Sequence, residues 1–145
     1  MKIRLILATL ACALATVPAI NAAEPETELG GKMDKMSGAF RALRRQVADA
    51  TKNADSLAKV ATIKENAQAA LKLEPAMKAD KPAAEQKQFV ADYQAEMKKT
   101  IALLDKVAAA LTANNNAEAE KLLAAVGDAQ KAGHKQFKKP DAKKK

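Results

Sequence analysis

The sequence predicts an all-α protein: an antiparallel up-down-up-down four-helix bundle following an N-terminal signal peptide. Three observations predict it. The apolar content is 48%, yet aromatics make up only 3% and Trp is absent, so the apolar residues are chiefly Ala and Leu, which with Lys, Glu and Gln are strong helix formers. Gly and Pro number five each, which leaves long uninterrupted stretches. Beyond the first residues, apolar positions recur three and four apart, the period of one helix face.

Residues 1–22 are excluded from the fold. Lys2 and Arg4 form a positively charged start, Leu5 to Val17 is a short apolar run, and small residues surround Ala22, the pattern of a secretory signal cut near Ala22. The run falls short of the roughly 20 apolar residues that a membrane span needs, and no later segment reaches that length. A bacterial periplasm is the simplest destination. Cys12, the only cysteine, lies within this run. Acylation there would make a lipoprotein, but Thr9 is poorly placed for such a signal and apolar residues continue to Ile20. Without Cys12 the exported chain has no disulfide, no thiolate metal site and no C-x-x-C-H for covalent haem attachment.

Four amphipathic segments then fill residues 23–139. The first, about Thr27 to Ala50, aligns Leu29, Met33, Met36, Phe40, Leu43 and Val47 in one stripe, with Lys32, Lys35, Arg41, Arg44 and Arg45 outside it. The second starts after a cap at Asn53 or Asp55, carries Leu57, Val60, Ile63, Ala67, Ala70 and Leu71, and ends near Glu74 because Pro75 restricts the residue before it. "EPAMKADKP" is the longest break. After Pro82, the spacing of Phe89, Tyr93, Met97, Ile101, Leu104, Ala108 and Leu111 predicts a third helix of about 28 residues. "TANNN" interrupts it and supplies Asn115 or Asn116 as a cap. The fourth, about Ala117 to Lys138, presents Ala119, Leu122, Leu123, Val126, Gln130, His134 and Phe137. Two short connections and one longer one fit the bundle, followed by a lysine-rich tail at 140–145.

Leaving out Lys2 and Arg4 lowers the 25 basic residues to 23 against 17 acidic ones, a net +6. Much of the excess sits in Lys135, Lys138, Lys139 and the tail. Phe137 is the single aromatic among these lysines, not the interleaved set that base stacking requires, and export removes a nucleic-acid partner. An anionic membrane or an acidic partner protein remains, although a lysine tail is usually just solvated.

Catalytic constellations are missing. One histidine, no cysteine past residue 22, no Gly-rich phosphate loop and no paired carboxylates on an apolar face leave no nucleophile with its base, so no enzyme activity is expected. A bare copper or zinc ion asks for several ligands, and here one imidazole is joined only by the thioethers of Met33, Met36, Met77 and Met97; a Met/His copper site is one alternative. Haem needs only two protein ligands, and an imidazole with a thioether is an established pair. In an up-down-up-down bundle the first and last helices are antiparallel neighbours, so Met33 near the start and His134 near the end share one end of the bundle. Against this stand simpler roles: Met as core filler, and His as a charge complementing a helix C-terminus.

Taken together, "LGGKMDKMSGAFRAL", "FVADY" after the Pro-containing loop, and the closing "HKQF" resemble the soluble cytochrome b562 family from about Thr27 to Lys138. The resemblance implies a periplasmic, monomeric electron carrier that holds one non-covalent haem b between methionine and histidine and passes electrons to a redox partner protein. On that alignment Met33 and His134 are the axial ligands, with Phe40, Phe89, Tyr93 and Phe137 around the haem. Met36 lies on the same stripe as a second thioether, while the register of Leu29, Phe40 and Leu43 favours Met33. Three residues depart from the family's pattern. Gln130 stands where a basic residue facing a haem propionate is expected, with Lys131 or Lys135 as substitutes, and Gly38 and Gly133 loosen their helices. The competing expectation is a haem-free periplasmic helical protein that binds partners or acts in stress through its basic surface.

Overall fold

The computed structural model describes residues 27–139; the signal peptide assigned to 1–22, Cys12 and the tail at 140–145 lie outside the described residues. Four helices follow in order: α1 Glu28–Arg44, α2 Asn53–Ala70, α3 Ala83–Thr112 and α4 Asn116–Phe137. Short 3-10 turns occupy Ala50–Lys52 and Ala76–Asp80 in the first two connections. The four-helix bundle is as expected. Each helix packs along the next in sequence, whereas α1 and α4, the pair that closes the bundle, make no comparable backbone approach.

The capping residues explain where α1 and α4 start. The Thr27 hydroxyl accepts from the Gly30 amide at 3.0 Å, and the Asn115 side chain accepts from the Glu118 amide at 3.2 Å, each satisfying an otherwise unpaired first-turn donor. α2 differs from expectation: neither Asn53 nor Asp55 caps it, and Lys52 precedes it without a side-chain cap. Asn53 is committed elsewhere. Its Nδ2 donates to the Leu111 carbonyl at 3.2 Å and to Asn114 Oδ1 at 2.9 Å, with Asn116 Oδ1 at 3.3 Å. Asn116 Nδ2 in turn donates to Asn53 Oδ1 at 2.8 Å and to the Val47 carbonyl at 2.6 Å. The two amides thus bind the α1–α2 connection to the α3–α4 turn. Asn114 makes that turn with a φ of 54°, a left-handed conformation that Asn tolerates.

α1 also ends earlier than its periodicity implies, at Arg44 instead of near Ala50. The chain tightens there, with Arg45 and Gln46 amides bonding three residues back, which keeps Val47 buried while freeing its carbonyl for Asn116. Asp49 then caps the 3-10 turn by accepting from the Thr51 amide at 3.0 Å and the Thr51 hydroxyl at 2.6 Å, and these bonds hold its carboxyl below the ordinary range. α2 stops at Ala70, short of Glu74. The Ala70 and Leu71 carbonyls left at its end accept from Tyr93 Oη at 3.0 Å and Gln94 Nε2 at 3.1 Å on α3, which meets the requirement of a helix C-terminus.

Two clusters share the interior. The larger spans the middle and the Asn53 end, with Phe40, Leu43, Val60, Ile63, Leu104 and Leu123 among its members. The smaller, at the opposite end, gathers Ala67, Ala70, Phe89, Tyr93, Met97 and Phe137. Val107 and Ala110 are buried as well, additions to the expected α3 stripe that reflect contact with helices on both sides.

Replacing Asn53, only 8% exposed, with Ala removes the donor to the Leu111 carbonyl and leaves Asn116 only its bond to the Val47 carbonyl; a loss of about 1–3 kcal/mol is expected, read as a lower urea midpoint at unchanged slope. Gly133→Ala should act oppositely. A Cβ there meets nothing within 4 Å, so the helix gains about 0.5–1 kcal/mol, seen as a higher thermal midpoint of the cofactor-free chain.

Candidate functional site

The end of the bundle opposite the asparagine pair concentrates most of the aromatic residues. Phe89 and Tyr93 are four apart on α3 and therefore share a face, and Phe137 in the last turn of α4 packs against both, with ring centroids 5.2 Å and 5.5 Å away. Tyr93 is 3% exposed, and its hydroxyl is kept in place by the bond to the Ala70 carbonyl. Burial pushes its pKa up to about 12, since removing water disfavours the phenolate. Leu29, Met33 and Met36 of α1 pack against this cluster while remaining partly accessible, as does Met77 from the α2–α3 connection.

Beside the cluster, the seam between α1 and α4 opens into a groove of about 290 Å³. α1 lines it with Ser37, Phe40, Arg41 and Arg44, and α4 with Gln130, Lys131 and His134. The helices touch across it at two places. The Phe40 ring lies against Gly127, where even a methyl group would come within 3.3 Å of its Cζ, and Gln130 Nε2 donates to Ser37 Oγ at 3.3 Å. The Arg44 guanidinium sits 5.9 Å from the Phe40 ring centroid, within cation–π range.

The structure brings Met33, Phe89, Tyr93 and Phe137 together at the bundle end. Phe40 belongs to the larger, central cluster and reaches the site only as a wall of the groove that it shares with His134. His134 is exposed at the groove, further out than its helical position implies, because α4's last turn carries Lys135, Gln136 and Lys138 around it and only Phe137 turns fully inward. Met36 packs against both clusters. Periodicity had marked Met97 as a core position without giving it a role in the site; it is buried among the aromatics.

The donor set limits what such a site can hold. Among the described residues no three His, Cys, Asp or Glu side chains converge to bind a metal ion. One imidazole and nearby thioethers, set on the two helices that bound the open seam and adjoining an aromatic wall, suit a flat apolar cofactor that brings its own equatorial ligands. Cations at the groove suit acidic substituents on that cofactor. The residues present therefore fit a haem.

A comparison with protein families gives a match to the family described as cytochrome b562 over residues 28–138. The match takes in all four helices, and the chain belongs to that family, whose members are haem-binding electron carriers. No curated protein and no solved structure matched the chain. Among the described residues no helix is long and apolar enough to cross a membrane.

Tyr93 is the chain's only tyrosine and Trp is absent, so its ionisation can be read directly by near-ultraviolet absorbance. The phenolate signal should stay low through its ordinary pKa of 10.0 and rise only near 12. A folded-state pKa raised above the unfolded one stabilises the fold below pH 10, and this contribution is lost as pH rises toward 12. A phenol titrating near 10 while far-ultraviolet circular dichroism still shows full helix would show that Tyr93 is not buried in the cluster.

Proposed function

We propose that this member of the cytochrome b562 family is a periplasmic electron-transfer protein that holds one non-covalent haem b, with Met33 and His134 as its axial ligands. The observation that carries the reading is the open α1–α4 seam. It is the one pair of sequence-distant neighbours left apart; the chain's only imidazole lines it from α4, and the partly buried Met33 thioether of α1 packs against the aromatic cluster beside it. Residues 1–22 act as the export signal, and 23–139 form the carrier.

Each residue then has a chemical task. The His134 imidazole and the Met33 thioether, a soft donor, would hold the haem iron and leave it no position vacant for small molecules. Phe89, Tyr93 and Phe137 keep water from one side of the pocket, while Phe40 forms its inner limit. When bound, haem supplies a one-electron ferric/ferrous couple, and Met/His ligation raises its potential. The exposed position of His134 leaves one edge of the site near solvent. Lysines around it favour encounter with a redox partner whose docking surface is acidic, fastest at low salt, and the carrier acts as a monomer. Met36 is the competing thioether, one turn further along α1 and in contact with both clusters.

Hemin added to the chain without residues 1–22 should give a stoichiometric low-spin spectrum with sharp bands after reduction. His134→Ala should abolish it, Met33→Ala should convert it to a form with one open position, and Met36→Ala should leave the band positions unchanged. Binding also stabilises the fold, by about 2.7 kcal/mol at a free hemin concentration 100 times Kd, which the thermal midpoint checks. A spectrum changed by Met36→Ala alone would move the ligand to Met36. Free-hemin spectra for every variant, wild type included, would sink the haem reading and leave a helical protein that acts through its basic surface.

A further inference from the structure

We infer that the carboxylates of the bound haem are held by the two arginines of α1, Arg41 and Arg44, and not from α4. This rests on the haem reading above. A haem b carries two propionate groups, which stay ionised at neutral pH and need cationic or hydrogen-bonding partners once they approach the protein. Gln130, on α4 one turn before His134, offers no charge, and its amide is engaged with Ser37 Oγ at 3.3 Å. The groove has three cationic side chains: Arg41, Arg44 and Lys131.

These three are not equivalent. Lys131 is already paired, its Nζ 3.1 Å from Asp128 Oδ1 one turn back on the same helix, so recruiting it would break that contact. Neither Arg41 nor Arg44 has a carboxylate partner among the described residues. Arg44 is steadied over the Phe40 ring, which lowers the entropy lost when its guanidinium takes a ligand. Arg41, three residues earlier, projects from the same helix surface. Guanidinium groups match a carboxylate with two parallel N–H donors, a geometry that lysine lacks. Phe40 and Gly127 hold α1 and α4 in contact at this level, so the arginines face the groove opposite Gln130. The positive charge absent from α4 at Gln130 is thus supplied across the seam from α1.

The test compares hemin with hemin dimethyl ester, whose two carboxylates are capped, by spectrophotometric titration of wild type, the double variant Arg41→Gln/Arg44→Gln, the charge-preserving Arg41→Lys/Arg44→Lys, and Lys131→Gln. Wild type should bind hemin about tenfold more tightly than the ester, the scale of a charge-assisted contact. The double glutamine variant should lose that preference while binding the ester as wild type does, with the same low-spin band positions. The lysine pair should restore it in part, and Lys131→Gln should leave it intact. A preference that survives the double glutamine variant, or that disappears with Lys131→Gln, overturns the inference while the low-spin spectrum keeps the haem reading standing. Failure of wild type to bind either compound overturns both. All four chains are checked for equal helical content, and the substituted residues are exposed.

Discussion

The paired amides of Asn53 and Asn116 are the constraint on which the rest of the arrangement depends. A four-helix bundle closes by packing its first helix against its last, yet here α1 and α4 stay apart along much of their length. Added to the core that all four helices share is a set of directional bonds at one end, where Asn53 and Asn116 join the end of α1, the start of α2, the end of α3 and the start of α4. Buried hydrogen bonds of this kind contribute modestly when made and cost much more when one partner is lost. Their position matters more than their number. By fixing the loop end, they allow the opposite end to keep a seam open without loss of the overall register.

Between the closed end and the open one lies Phe40 against Gly127. A residue with any side chain at 127 would push the ring, because even a Cβ stands at 3.3 Å. Here the two helices meet, and they touch again one turn on at Ser37 and Gln130; at the bundle end the aromatic trio of Phe89, Tyr93 and Phe137 takes over the packing. Tyr93 anchors that trio by satisfying the end of α2, so the same phenol that packs the aromatic cluster also terminates a helix. A substitution at Tyr93 would disturb both the wall of the site and the end of α2, the coupling expected when one buried hydroxyl serves two elements.

Much of this was legible in the sequence, and the physical reasons are specific. The 3.6-residue period exposed the four helices and most buried positions, though not Asn53, Ser56, Val107 or Ala110, because burial of one face is a local property of spacing. That Met33, Phe89, Tyr93 and Phe137 pack together at one end could be read the same way, from their place on those faces and their likeness to the cytochrome b562 pattern, whereas the exposure of His134 could not. What was not legible depends on contacts between distant segments. Asn53 read as a cap because capping is the usual use of Asn before a helix; its actual partners are 58 to 63 residues away. α1 read as longer because Val47 continues the apolar stripe, although the chain has already tightened to free the Val47 carbonyl. Arg41 and Arg44 read as solvent-facing charges since they fall outside the α1 stripe, and only the divergence of α1 from α4 turns that flank into the wall of a groove.

That last point bears on how such a site can change its residues and keep its chemistry. A ligand lying between two helices sees both flanks, so a charge is not tied to one of them. With Gln130 neutral and bonded to Ser37, α4 contributes shape at that level while α1 contributes charge. The requirement is only that a guanidinium reach the groove, and a long, flexible arginine on either wall meets it. The axial ligands have no such freedom. On the proposed ligation the His134 imidazole and the Met33 thioether would each have to reach the haem iron, so their places on α4 and α1 could not shift as a charge can.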